Sequence, residues 1–177
     1  MKIAVMGYSG SGKSTMARRL GALYGCPVLH LDTVQFTAGW QERPREEARG
    51  LVAAFLDQNA GWVIDGNYSS FCQERRLAEA DAIVYFAFPR FVCLFQAVRR
   101  YLRYRGRTRE DMADGCQEKM DWEFARWILW DGRSPSRRRA VRKALAPYKA
   151  KCVTLYTRRQ ADRFFHQAAE KMKNQIL

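Results

Sequence analysis

The chain of 177 residues has the length of one ordinary domain, and its apolar fraction of 47% excludes a disordered protein. Its formal charge of +13 favours polyanionic partners, namely nucleic acid, anionic lipid or nucleotides, without choosing among them. The five cysteines form no CxxC pair, which argues against a zinc ribbon and is typical of reduced thiols in a cytoplasmic protein.

Strands and helices alternate in the predicted chain. The first half is predicted to contain strand KIAVMG, helix KSTMARRLGALYG, strand PVLHLD, helix REEARGLVAAFLDQ, and strands GWVIDG and DAIVYFAF. A helix follows from about Phe91 into a run of arginines. The rest of the chain is predicted to contain helices over QEKMDWEFARWILW and SPSRRRAVRKALAPY, the strand KCVTLYT and a C-terminal helix. Pro89 and Arg90 interrupt the most apolar run, so we expect no membrane span. The alternation predicts one α/β domain over residues 1–177, with helices on both faces of a parallel sheet.

The strongest motif is GYSGSGKST, which lies between the first predicted strand and the first predicted helix. It matches the phosphate-binding pattern G-x-x-x-x-G-K-[ST] in the context that this pattern requires. Glycines let the backbone approach phosphates closely, Lys13 reaches the β- and γ-phosphates, and the Ser14 hydroxyl ligates Mg²⁺. The loop predicted to bind ATP comprises Gly7, Tyr8, Ser9, Gly10, Ser11, Gly12, Lys13, Ser14 and Thr15.

Two aspartates end predicted strands at the edge where open α/β sheets bind ligands. Asp65 ends WVID, and we favour a role in holding Mg²⁺ over a role as a turn former. Asp32 ends LHLD and has three open interpretations: a turn former, a water-mediated partner of the metal, or a base for a substrate hydroxyl, which we favour. His30 is interpreted as a core or orienting residue.

The segment VRRYLRYRGRTRE concentrates positive charge in the middle of the chain. Its arginines are Arg99, Arg100, Arg103, Arg105, Arg107 and Arg109. A DNA-binding surface and a set of clamps for the phosphates of a nucleotide both need such charge. Gly106 divides the run, so we place Arg99 and Arg100 on a helix and expect Arg107 and Arg109 to contact phosphate.

Several segments resemble the small P-loop kinases of the adenylate kinase-like group, and more closely the bacterial DNA topology modulation proteins. They are GYSGSGKST, HLD, VIDGNY, AD-IVYF with PR close behind, GRTR-DM and C-EK-D-EF--W, and they extend to about Trp127. The resemblance implies a P-loop NTPase fold with three α/β/α layers and a five-stranded parallel sheet in the order 2-3-1-4-5. It also implies a mobile lid around 103–120 that closes over the triphosphate, with a second contact from Arg133, Arg137, Arg138 and Arg139.

The expected function is that of an ATP-dependent kinase that uses Mg²⁺ and transfers a phosphoryl group to a small acceptor, such as a nucleotide or nucleoside. The expected catalytic residues are Lys13, Asp32, Arg107 and Arg109, and the expected metal ligands are Ser14 and Asp65. DGNYSS replaces the DG-PR of adenylate kinases, so the resemblance does not identify the acceptor. The alternatives are a DNA-binding, topology-modulating protein with a regulatory nucleotide site and a slow ATPase. ATP versus GTP and the oligomeric state stay open.

Overall fold

Helices and strands alternate along the chain in a computed structural model that describes residues 1–106, 112–113 and 115–176. The strands are β1 (Lys2–Gly7), β2 (Val28–His30), β3 (Phe36–Thr37), β4 (Gln41–Glu42), β5 (Trp62–Asp65), β6 (Ala82–Phe86) and β7 (Cys152–Leu155). The helices are α1 (Lys13–Tyr24), α2 (Leu31–Gln35), α3 (Arg45–Gln58), α4 (Gln73–Glu79), α5 (Arg90–Tyr104), α6 (Trp122–Leu129), α7 (Pro135–Leu145) and α8 (Arg158–Ile176). Each of these helices is too short or too polar to cross a bilayer.

Five of the strands form one parallel sheet in the order β2-β5-β1-β6-β7. Because β3 and β4 pair only with each other in a short antiparallel hairpin, this order is the 2-3-1-4-5 order predicted for the five sheet strands, which is confirmed. The central strand β1 has the phosphate loop at its C-terminal end, between β5 and β6. Loops that follow the other parallel strands lie at the same edge.

Two apolar cores lie on opposite faces of the sheet. Ile3 and Val5 of β1 belong to one core and Ala4 and Met6 to the other, as the alternation of side chains along a strand requires. The first core also contains buried residues of α1, α5, α6 and α8, and the second contains those of α2, α3 and α4. The chain therefore has the three-layer α/β/α architecture that the alternating pattern predicts.

Two local predictions were wrong, and two elements were not predicted. The strand predicted over PVLHLD ends at His30, and α2 begins at Leu31, because Leu31 and Val34 are both buried, three residues apart, on one face of the helix. The helix predicted over QEKMDWEFARWILW begins only at Trp122, where the side chain of Asp121 caps it by accepting a hydrogen bond from the Phe124 amide at 2.8 Å. The β3–β4 hairpin and α4 were not predicted.

Candidate functional site

The predicted phosphate-binding loop connects β1 to α1 at the C-terminal edge of the sheet. Gly7, Gly10 and Gly12 all have positive φ, at 137°, 77° and 90°. The loop is closed on itself because the carbonyl of Tyr8 accepts hydrogen bonds from the Ser11 amide at 3.2 Å and from the Ser11 hydroxyl at 2.7 Å. The Tyr8 amide donates to the carbonyl of Phe86 at 3.1 Å, which ties the loop to β6. All nine predicted loop residues therefore lie together at the start of α1.

Gly10 is the point where the loop meets α5. A Cβ atom on Gly10 would lie 2.3 Å from the carbonyl oxygen of Cys93, which is too close for any real carbon atom. Cys93 and Ala97 are buried on the side of α5 that faces the loop. Glycine at position 10 is thus required both by its backbone angle and by the approach of the helix.

Asp65 lies beside this loop, at the end of β5 and opposite Val5 and His30 in the register of the sheet. Its Oδ2 is 3.1 Å from Nδ1 of His30, so His30 has the orienting position expected of it. Burial alone would raise the pKa of Asp65, but the hydrogen bond with His30, the charge of Lys13 and the nearby Ser14 hydroxyl outweigh burial and lower it. The carboxyl group is therefore ionised at neutral pH.

The other carboxylate oxygen of Asp65 fits a role in metal binding. Oδ1 is buried and has no hydrogen-bond partner among the residues that the structure describes, which is costly for a charged group. Mg²⁺ prefers hard oxygen ligands, and a carboxylate and a hydroxyl are available here from Asp65 and Ser14. The residues present thus suit the ion. Lys13 lies beside them, and its Nζ donates a hydrogen bond to the Tyr8 carbonyl at 3.2 Å.

Asp32 lies two residues beyond β2, in the first turn of α2 rather than at the end of a strand. Its Oδ1 accepts a hydrogen bond from the hydroxyl of Tyr68 at 2.7 Å, so the loop after β5 reaches it. Burial raises the pKa of Tyr68, and the charge and hydrogen bond of Asp32 raise it further. Tyr68 therefore stays protonated at neutral pH and donates to Asp32.

Two residues that sequence reasoning missed, Asn67 and Arg76, fix the loop after β5. The side chain of Asn67 accepts from the Gly7 amide at 2.9 Å and donates to the Gly7 carbonyl at 2.6 Å, so it joins this loop to the phosphate loop. Arg76 is completely buried and donates to the carbonyls of Tyr68 and Phe71 at 2.6 and 2.7 Å. Burial lowers the pKa of Arg76 to about 10. In the sequence, a role for Asn67 and Tyr68 in the site was indicated by their position directly after a strand, at the edge of the sheet where ligands bind.

Aromatic and basic side chains from the chain beyond α5 lie over the phosphate loop. The guanidinium of Arg133 stacks 3.7 Å from the ring centroid of Tyr8. The indole of Trp127 donates to the Ser9 hydroxyl at 3.2 Å, and Arg137 lies 4.4 Å over the Trp127 ring. Two of the four arginines predicted as a second contact, Arg133 and Arg137, therefore reach the loop region. Arg138 and Arg139 are exposed on α7.

The proposed phosphate clamps Arg107 and Arg109 lie outside the described residues. Of the range 103–120 predicted as a lid, residues 116–118 contact the body of the domain. The Cys116 thiol donates to the Thr37 carbonyl at 3.2 Å, the Gln117 carbonyl accepts from the Trp40 indole at 3.1 Å, and Glu118 pairs with Arg100 at 2.6 Å.

The arginines of α5 do not form an uninterrupted basic surface. Arg99 and Arg103 are exposed, but Phe95, Val98 and Leu102 are exposed on the same helix. The exposed arginines therefore lie beside a row of apolar side chains that cannot make hydrogen bonds to phosphate.

Comparison with known proteins supports the fold. Shikimate kinase from Acinetobacter baumannii in complex with shikimate is 18% identical, covers 99% of this chain and 92% of its own, and has a TM-score of 0.51. Shikimate kinase from Bacteroides thetaiotaomicron is 16% identical, with 98% of each chain covered and a TM-score of 0.48. A gluconokinase from Sinorhizobium meliloti 1021 is 18% identical, with 98% of this chain and 96% of its own covered and a TM-score of 0.46.

The strand order, the loop and the first of these structures define the class: the chain has a P-loop NTPase fold. No family model and no curated protein matches the sequence. The closer resemblance to the DNA topology modulation proteins thus stays an interpretation of the sequence.

Proposed function

We propose that this protein is a P-loop kinase that binds Mg²⁺-ATP and transfers the γ-phosphoryl group to a hydroxyl of a small acceptor. One observation carries the proposal: two carboxylates at one sheet edge have different partners. Asp65 has a buried oxygen beside the phosphate loop with no hydrogen-bond partner in the described part of the chain, whereas Asp32 is held by the Tyr68 hydroxyl. The first environment suits a metal ligand, and the second suits a base that must keep one orientation.

Each residue of the site has a task in this reaction. Bound Mg²⁺, held by Ser14 and Asp65, would neutralise charge on the β- and γ-phosphates. Lys13 would leave the Tyr8 carbonyl, which it contacts at 3.2 Å, and bind the same phosphates. We assign Arg107 and Arg109 to the charge that develops on the transferred group.

Asp32 would act on the acceptor. Tyr68 occupies its Oδ1, so we assign Oδ2 to the acceptor hydroxyl. As the acceptor oxygen bonds to the γ-phosphorus, its proton passes to Asp32, the bond from the γ-phosphorus to the bridging oxygen breaks, and ADP leaves. A phosphate acceptor needs no such base, so this arrangement favours an alcohol or a nucleoside over a nucleotide.

A phosphoryl-transfer screen with Mg²⁺-ATP and panels of small alcohols, nucleosides and nucleotides tests the proposal. We expect transfer to a hydroxyl compound, abolished in Asp32→Asn with ATP affinity nearly unchanged. Asp57→Asn is the matched control, because Asp57 is 64% exposed and pairs with Arg75 at 2.6 Å. Loss of ATP binding in Asp32→Asn would assign Asp32 to the metal instead. Hydrolysis of ATP with no acceptor phosphorylated would make the protein an ATPase.

A further inference from the structure

An apolar stripe lies on the outer face of α5. It consists of Phe91, Phe95, Val98 and Leu102, whose exposed fractions are 71%, 68%, 37% and 67%. The spacing of four, three and four residues places them in one row along the helix, as in the seam of a coiled coil. A single exposed apolar side chain is ordinary, but a continuous row of large ones marks a surface that binds something. We call this row the α5 stripe.

The α5 stripe is exposed in the part of the chain that the structure describes. The opposite side of the same helix carries the buried residues Cys93 and Ala97, which face the phosphate loop at Gly10. The domain core therefore needs the inner face of α5 and leaves the outer face free. The binding of a partner to this face would occur one helix diameter away from the phosphate loop.

We propose that the α5 stripe is the interface of a homodimer in which α5 packs antiparallel against α5 of a second copy. A twofold interface must be complementary to itself, so that residue i contacts j while j contacts i. In an antiparallel pairing, Phe91 packs on Leu102 of the second copy and Phe95 on its Val98, and each contact recurs by symmetry. This inference does not depend on the proposed kinase activity.

The charges of α5 are compatible with this pairing. The same alignment places Arg99 level with Leu94 of the second copy, so the two Arg99 residues are five positions, or about 7.5 Å, apart along the helix axis. Arg100 points elsewhere, to Glu118 at 2.6 Å. Arg90 is level with Arg103 at the two ends, and Arg99 and Arg158 line a groove beside Phe91 and Phe95. These arginines are exposed to solvent that screens them, and Arg158 also pairs with Asp162 at 3.9 Å.

The area available indicates a weak dimer. With about 200 Å² for a whole large side chain, Phe91, Phe95 and Leu102 together present about 400 Å² on each copy. Val92 and Val98, which are 41% and 37% exposed, extend the patch. The two copies would bury about 1,000 Å² in total, near the lower limit for a specific interface. We therefore expect a dissociation constant in the micromolar range.

Net charge gives the association a distinctive salt dependence. Each chain carries a formal charge of +13, so two copies repel each other at long range. Added salt screens this repulsion and leaves apolar contacts intact, so the dimer should tighten as ionic strength rises. Association through a bridging polyanion would weaken instead.

Sedimentation equilibrium of the full chain across the micromolar range, at low and high salt, tests the inference. Wild type should dimerise, more tightly at high salt, and Phe95→Glu and Leu102→Glu should each raise the dissociation constant at least about tenfold. Leu51→Glu is the matched control, since Leu51 is 46% exposed on α3 and should leave the dimer unchanged. Thermal melts check that each variant folds.

Three outcomes would overturn the inference. They are a wild-type monomer at all concentrations, a dimer that survives both α5 substitutions, and an association that salt weakens. The first would leave the α5 stripe to a different protein or to a lipid surface. The second would place the interface on another face, and the third would indicate a bridging anion.

Discussion

Replacing Gly10 by alanine tests the close contact between the phosphate loop and α5. Alanine must adopt a φ of +77°, and its Cβ would lie 2.3 Å from the Cys93 carbonyl oxygen, a backbone atom that cannot rotate away. Gly39→Ala is a matched control, because its φ is +72° and no atom lies within 4 Å of the new Cβ. The two substitutions therefore share the backbone cost and differ in the steric one.

The magnitudes separate the two variants. An alanine with left-handed backbone angles destabilises the folded state by about 1–2 kcal/mol. Alanine also reduces the conformational freedom of the unfolded chain relative to glycine, which offsets about 0.4–1 kcal/mol of that loss. We thus expect Gly39→Ala to lower the free energy of unfolding by about 1 kcal/mol. Forcing a carbon into packed structure adds about 1–3 kcal/mol for Gly10→Ala. At about 2–4 °C per kcal/mol, the Tm values should differ by about 2–12 °C.

Thermal unfolding and calorimetric titration with ATP measure the two effects. Gly10→Ala should also weaken ATP binding at least about tenfold, because the loop must move to accommodate the Cβ. Gly39→Ala should bind ATP as wild type does. Equal Tm values for the two variants, or normal ATP affinity in Gly10→Ala, would refute the described packing of the loop on α5.

Further substitutions separate the tasks within the site. Lys13→Ala should lower ATP affinity strongly while the fold persists, and unchanged affinity in calorimetric titration would contradict the phosphate-binding role. Asp65→Asn should reduce turnover far more than Tm, whereas an active variant with normal Mg²⁺ dependence would make Asp65 a turn former. Tyr68→Phe should lower kcat for the acceptor by about tenfold or more with ATP affinity unchanged, because Asp32 loses the donor that orients it; equal loss of ATP affinity would indicate a structural role. Arg107→Ala should reduce turnover more than it reduces ATP affinity. The DNA-binding alternative would be favoured if the variant kept normal turnover while the protein bound DNA tightly, and if the slope of log affinity against log salt concentration fell by about 1 in the variant.

Much of the fold could be predicted because the sheet strands are short apolar runs, of which β1 ends at a glycine and β5 at an aspartate. The phosphate loop was predictable for a similar reason, since glycine spacing and Lys13 are local features of the sequence. The segment LHLDTVQF was not, because a short apolar run suits a strand and a helix equally, and the packing of Leu31 and Val34 decides between them. Periodicity offers no sign that an arginine such as Arg76 will be completely buried, since arginine is rarely found there.

The two hydrogen bonds between Asn67 and Gly7 have a thermodynamic consequence. Asn67 lies directly before Tyr68 in the chain, so a single peptide unit connects the phosphate loop to the residue that holds Asp32, the proposed base. A ligand that shifts Gly7 must also shift Tyr68 and, through it, Asp32. Such an effect is reciprocal by thermodynamic linkage. If a bound nucleotide changes the free energy of acceptor binding, a bound acceptor changes the free energy of nucleotide binding by the same amount. The proposed function then requires nucleotide and acceptor to bind cooperatively, each altering the affinity of the other by the same factor.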